Sequence, residues 1–72
     1  MNPDFRPLLI EPLTEREQDI LALLIQGKTN NQIAAALVLS LNTVKWYNRQ
    51  IYGKLGVENR EQVGERVREL GL

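Results

Sequence analysis

The residues of this chain best suited to chemistry on a partner are Asn42, Lys45, Trp46 and Arg49: an amide, two cations and a large aromatic within eight positions. At about 100° per residue on a helix, Asn42, Trp46, Arg49 and Gly53 fall on one line with Lys45 beside it, and Val44, Ile51 and Leu55 fall opposite. One face asks for a core. The other carries side chains able to meet base edges when a helix is inserted in a DNA major groove. The stretch also marks its own ends: the Ser40 hydroxyl can accept from a first-turn N–H, and Gly56 can turn left-handed after the last turn. This predicts a helix over 41–55.

Composition removes most other chemistry. The 72 residues include no Cys and no His, so disulfides and the usual zinc ligand sets are excluded. There is no glycine-rich phosphate loop and no pair of carboxylates expected to share an enclosed cleft, so no enzyme, catalytic residue, metal or cofactor is expected. A chain this short is one domain, near the lower limit for an apolar core without staples. No apolar run approaches ~20 residues and the start is acidic with prolines, which predicts neither a membrane span nor a secretory signal and points to the cytoplasm.

Net charge is zero, unpromising for phosphate binding until its distribution is read. Residues 1–40 hold Arg6, Arg16 and Lys28 against Asp4, Glu11, Glu15, Glu17 and Asp19, whereas 41–60 hold Lys45, Arg49, Lys54 and Arg60 against Glu58 alone. Positive charge gathers on the central helix and its exit. A neutral whole with one basic face describes a weak monomeric binder that relies on orientation or a partner copy.

The elements around that helix follow in order. Pro3, Pro7 and Pro12 prevent a continuous helix over 1–12, which reads as an extended lead or linker from a sensing domain upstream, with Leu8, Leu9 and Ile10 at an edge of the core. Thr14 and Glu17 form a capping box behind Leu13 and open a helix over about 15–26, with Ile20, Leu21, Leu24 and Ile25 as the buried stripe and Gly27 as the stop. Thr29 and Gln32 repeat the box for a short helix over 30–37, in which Ile33, Ala36 and Leu37 pack inward and Ala34 leaves room for a crossing helix. Val38, Leu39 and Ser40 connect it to the central helix, completing a helix-turn-helix. Asn59 and Gln62 open a fourth helix over about 60–70, with Val63, Val67 and Leu70 inward and Glu61, Glu65 and Arg68 outward. The prediction is an all-α, four-helix domain over 13–72.

The sequence from Leu13 onward resembles the C-terminal DNA-binding domain of the LuxR family, the GerE-type domain. The resemblance is carried by Leu13-Thr14-x-Arg16-Glu17, Gly27 followed by Asn30-x-x-Ile33-Ala34, Ser40-x-x-Thr43-Val44-Lys45, and Lys54-Leu55-Gly56-Val57 with Asn59-Arg60 after it. The flanks LLIEPLTERE and RELGL further resemble the large ATP-dependent members of that family. Membership implies a transcriptional regulator whose third helix enters the major groove of double-stranded DNA and whose fourth commonly mediates a homodimer. Matched by position, it implies base contacts for Lys45, Trp46 and Arg49, and backbone contacts for Thr29, Asn30, Asn42, Thr43 and Lys54. Tyr47 stands where the family often has His, and Val38-Leu39 where many helix-turn-helix units place Gly.

Each of these residues also has an ordinary use. Thr29 and Asn30 are helix caps first, though the same N-terminus offers N–H groups to a phosphate. Trp46 can stack on sugars or thymine methyls, or dock on another protein surface, which keeps open a helix-turn-helix used for protein contacts, for instance with RNA polymerase. Tyr47 and Tyr52 flank the buried line as core residues. Gly64 borders the outer face of the fourth helix, where a missing side chain admits a second helix; Glu61, Gly64, Glu65 and Arg68 are the expected dimer surface. Gly53 and Gly64 each cost a helix about 1 kcal/mol relative to Ala, so a local reason for each is expected.

Overall fold

The computed structural model describes residues 12–71. Four α-helices, α1 (Glu15–Ile25), α2 (Asn30–Leu37), α3 (Leu41–Leu55) and α4 (Val63–Leu70), are joined by short turns, with one 3-10 turn at Arg60–Gln62 before α4. Apart from Pro12, the lead expected over 1–12 lies outside the described residues.

The expected caps set the boundaries. Thr14 Oγ1 accepts from the Glu17 N–H at 3.2 Å while the Thr14 N–H donates to Glu17 Oε1 at 2.9 Å, and Thr29 and Gln32 repeat the exchange at 3.1 and 2.9 Å. Both pairs satisfy N–H groups that a helix start leaves unpaired. Ser40 Oγ accepts from the Thr43 N–H at 3.0 Å to begin α3. Asn59 behaves differently from the expectation, because its Oδ1, accepting from the Gln62 N–H at 3.2 Å, caps the 3-10 turn and the α-helix proper starts only at Val63.

The core is built from all four helices: Ile20, Leu21 and Leu24 of α1, Ile33 of α2, Val44, Ile51 and Leu55 of α3, and Val63 and Val67 of α4. Burying each of the larger of these stabilises the fold by roughly 1.5–3 kcal/mol relative to exposure. α3 is the shared element, touching α1, α2 and α4. Two inward assignments are corrected. Ile25 is 52% exposed, because α1 ends there, turning into Gln26 and Gly27, and among the described residues no other helix covers it. Ala36 is exposed, while Ala34 packs at the core edge where α3 crosses.

Two arginines beyond α3 brace helix ends whose carbonyls would otherwise lack partners. Arg60 donates through Nη2 to the Leu24 carbonyl at 3.3 Å and to the Lys28 carbonyl, tying down the exit of α1. Arg66 donates through Nε to the Leu55 carbonyl at 2.7 Å and pairs with Glu69 at 3.0 Å, closing the exit of α3. Gly56 turns the chain there at φ +73°, and a Cβ on it would sit 3.2 Å from Arg66 Nη2.

The turn between α2 and α3 depends on a residue poorly suited to it. Val38 is left-handed at φ 56°, ψ 51°, and its side chain is 89% exposed. A β-branched residue pays for that conformation in contact between its Cβ and the following carbonyl, and no packing repays it. Val38→Gly is therefore expected to raise the unfolding free energy by about 1 kcal/mol, read as a higher urea midpoint at unchanged slope; an unchanged or lower midpoint would show that the turn carries no strain.

Candidate nucleic-acid interface

α3 stands across α2 with its Val44, Ile51 and Leu55 line buried and its opposite line open. Asn42, Lys45, Trp46, Arg49 and Gly53 are all exposed, as their helical spacing predicts. The Trp46 indole is 48% exposed and meets Tyr47 edge-on, with ring centroids 5.1 Å apart at 76°. This contact fixes one edge of the indole and leaves the rest accessible. Tyr47 and Tyr52 pack against the core as expected, and burial raises the Tyr52 phenol pKa against a smaller opposing effect of the nearby Arg60 charge.

The four cations of 41–60 divide into two kinds. Lys45 and Arg49 form no ion pair among the described residues, so their charges face solvent on one side of α3. Arg60 is the brace described above. The Lys54 side chain, 14% exposed, places Nζ 2.7 Å from Glu17 Oε1 and 3.2 Å from the Pro12 carbonyl, locking the last turn of α3 to the start of α1. The residue expected at a DNA phosphate thus has its ammonium engaged within the fold. A phosphate at Lys54 would have to share the ammonium with a buried carboxylate already in contact.

Glu17 is the other half of that pair. Its side chain is 5% exposed. Burial alone would raise its pKa, but the hydrogen bond from Lys54, the Thr14 backbone N–H, the Lys54 charge and the Thr14 hydroxyl together bring it below its ordinary value. The first-turn glutamate that reads as a cap is thus also half of a buried ion pair.

The start of α2 adjoins α3 through one contact that spacing had not indicated. Asn48, 7% exposed, donates through Nδ2 to Asn30 Oδ1 at 2.9 Å, while its own Oδ1 is buried without a hydrogen-bond partner among the described residues. Its signal was present in the sequence, since Asn48 follows Val44 by four residues and precedes Ile51 by three, putting a polar side chain on the buried line. Thr29 and Thr43 also have their hydroxyl oxygens engaged, Thr29 by the Gln32 N–H and Thr43 by the Ser40 hydroxyl at 2.8 Å. Each keeps its hydroxyl proton to donate outward.

The helix-turn-helix fold has counterparts among known proteins. Residues 11–65 fit the family described as bacterial regulatory proteins, luxR family. The chain belongs to the luxR family. Over 51 residues, 71% of this chain and 24% of that protein, it is 53% identical to the probable transcriptional regulatory protein SgaR of Hyphomicrobium methylovorum. Over 59 residues, 82% of this chain and 6% of that protein, it is 39% identical to the HTH-type transcriptional regulator MalT of Serratia proteamaculans (strain 568). Among solved structures, the response regulator ChrA of a heme-sensing two-component system matches with a TM-score of 0.78 at 44% identity, over 82% of this chain and 29% of that one. VqmA of Vibrio cholera, in a complex with ligand and DNA, matches with a TM-score of 0.76 at 31% identity, over 81% and 25%. The chain thus spans about a quarter or less of SgaR and MalT. It is a LuxR-type helix-turn-helix domain of the kind transcriptional regulators carry, and the motifs at Thr14–Glu17, Ser40–Lys45 and Lys54–Val57 lie within its matched region.

Proposed function

We propose that this domain binds double-stranded DNA sequence-specifically as the output unit of a bacterial transcriptional regulator, with α3 in the major groove. The observation that carries the reading is the outer face of α3: Lys45, Trp46 and Arg49 project together from a helix braced on three sides, with neither cation in an ion pair among the described residues. Lys45 and Arg49 suit the O6 and N7 acceptors of guanine, and the indole suits a thymine methyl. Thr29, Asn30, Asn42 and Thr43 flank this face and hold the phosphate backbone, which sets register without reading sequence. The domain works by binding and has no catalytic role. Among the described residues no helix is long and apolar enough to cross a membrane, and the reading places the protein in the cytoplasm.

Titration with random-sequence duplex over a salt series tests this, because binding through phosphate contacts must weaken steeply as salt rises. Salt-insensitive or absent duplex binding would favour the alternative supported by the exposed Trp46 indole, a protein-docking module such as one meeting RNA polymerase.

Homodimerisation on DNA is the finer part of the proposal. Glu65 and Arg68 of α4 and Glu61 of the 3-10 turn before it are exposed, and Gly64, half-buried, has nothing within 4 Å of where a Cβ would sit. No contact among the described residues accounts for this glycine, nor for Gly53. Two copies meeting through α4 would read half-sites about 10 bp apart, centre to centre. Gly64→Glu is expected to reduce occupancy of paired half-sites while leaving the single-site affinity intact, as read by footprinting; one unpaired footprint at saturating protein, unaffected by Gly64→Glu, would remove α4 from the interface.

A further inference from the structure

We infer that Asn48 is a positioning residue for DNA binding: it holds the carbonyl end of the Asn30 side chain inward, so that the Asn30 amide nitrogen is presented outward as a donor to a backbone phosphate. This rests on the DNA-binding reading above and adds to it a residue that touches no DNA.

A carboxamide has an acceptor end and a donor end, and which end faces out is decided by what the other end bonds. Asn48 Nδ2 donates to Asn30 Oδ1 at 2.9 Å, which consumes the Asn30 acceptor. The Asn30 Nδ2 group makes no hydrogen bond among the described residues and is not among the buried unpaired atoms, so both its protons stay available at the surface. It stands at the first position of α2, beside the N–H groups of Asn30 and Asn31, which precede the first capped N–H at Gln32. Donors converge there on the positive end of a helix dipole, the arrangement that suits a phosphate oxygen. Turned the other way, Asn30 would offer that oxygen a repelling carbonyl.

The cost of the arrangement is visible at Asn48. Its Oδ1 is buried without a partner, on a line otherwise made of Val44, Ile51 and Leu55. An apolar residue would avoid that penalty, so the amide is unfavourable for α3 packing and is accounted for by what it does to Asn30.

The test separates folding from binding. Asn48→Ala is expected to keep or raise the urea midpoint, and to weaken binding to duplex by about 3- to 10-fold, the worth of one oriented hydrogen bond. In an Asn30→Ala background the same change should weaken binding no further, since there is no amide left to orient. Undiminished affinity in Asn48→Ala, or losses that multiply in the double variant, would overturn the inference. In the unmutated chain, the Asn30 side-chain amide resonances should shift on adding duplex while the Asn48 amide keeps its hydrogen-bonded position; Asn30 amide signals that do not move would overturn it even if Asn48→Ala failed to fold. Absence of salt-dependent duplex binding by the unmutated chain is a different result and would remove the DNA reading itself.

Discussion

Lys54→Met is expected to lower the unfolding free energy by about 3 kcal/mol near neutral pH, although Lys54 lies on a helix whose opposite face is open to solvent. Removing one member of a buried ion pair leaves the other charged and desolvated, and the cost is typically about 3–5 kcal/mol; the partial exposure of Lys54 places this pair at the lower end. Met keeps the apolar length of the lysine stem, so lost packing contributes little. Glu17, 5% exposed and 2.7 Å from the ammonium in the intact protein, would retain only its contacts with Thr14.

The pH dependence distinguishes this cause from a general loosening. The Glu17 pKa in the folded chain lies below its ordinary value, so the carboxylate binds fewer protons folded than unfolded as that value is approached. Its stabilising contribution is fully present above the ordinary glutamate value and is lost as pH falls through the lowered one. In Lys54→Met the main opposition to burial is gone, the Glu17 pKa moves upward, and acid relieves the orphaned charge. The stability gap between the two proteins should therefore narrow as pH falls from neutrality into the range below the ordinary glutamate value. Urea midpoints measured across that range provide the check, and a gap that stays constant would show that the pair contributes nothing electrostatic.

Arg49→Ala and Lys45→Ala should each cost about 1–3 kcal/mol of affinity on a preferred duplex and much less on random duplex. Both side chains lie on the open line of α3 without a partner among the described residues, so neither change should disturb folding. A side chain that reads a base loses its contact only where the right base is present, while one that holds a phosphate loses it everywhere and lowers the salt slope by about one unit. Selection of bound duplexes from a random pool supplies the preferred site, and parallel titrations of the two duplexes supply the ratio. Equal losses on both would make Lys45 and Arg49 phosphate clamps. Lys54, by contrast, should change affinity only through stability, since its charge is spent on Glu17.

The local signals in this chain were strong because they are short-range. A cap needs only a hydroxyl three residues from an N–H, and Thr14 with Glu17, Thr29 with Gln32, and Ser40 each form the bond that spacing implies. The division of α3 into a buried and an open line likewise follows from helical periodicity alone. With the quoted motifs, these determined the four helices and the open face of α3. Ile25 departs from the pattern because periodicity assigns a direction to a side chain, whereas burial also needs an opposing element, and among the described residues α1 ends without one there.

Only the tertiary structure decided which polar groups are spent inside. Lys54 and Glu17 are 37 positions apart and Asn30 and Asn48 are 18 apart, while Arg60 and Arg66 reach carbonyls at the ends of helices earlier in the chain. By itself the sequence determined the elements and the open face of α3. It could count cations on 41–60 but could not tell a charge facing solvent from one facing a buried carboxylate, because that depends on how α1 and α2 cross α3, and the crossing is set by packing of the whole core.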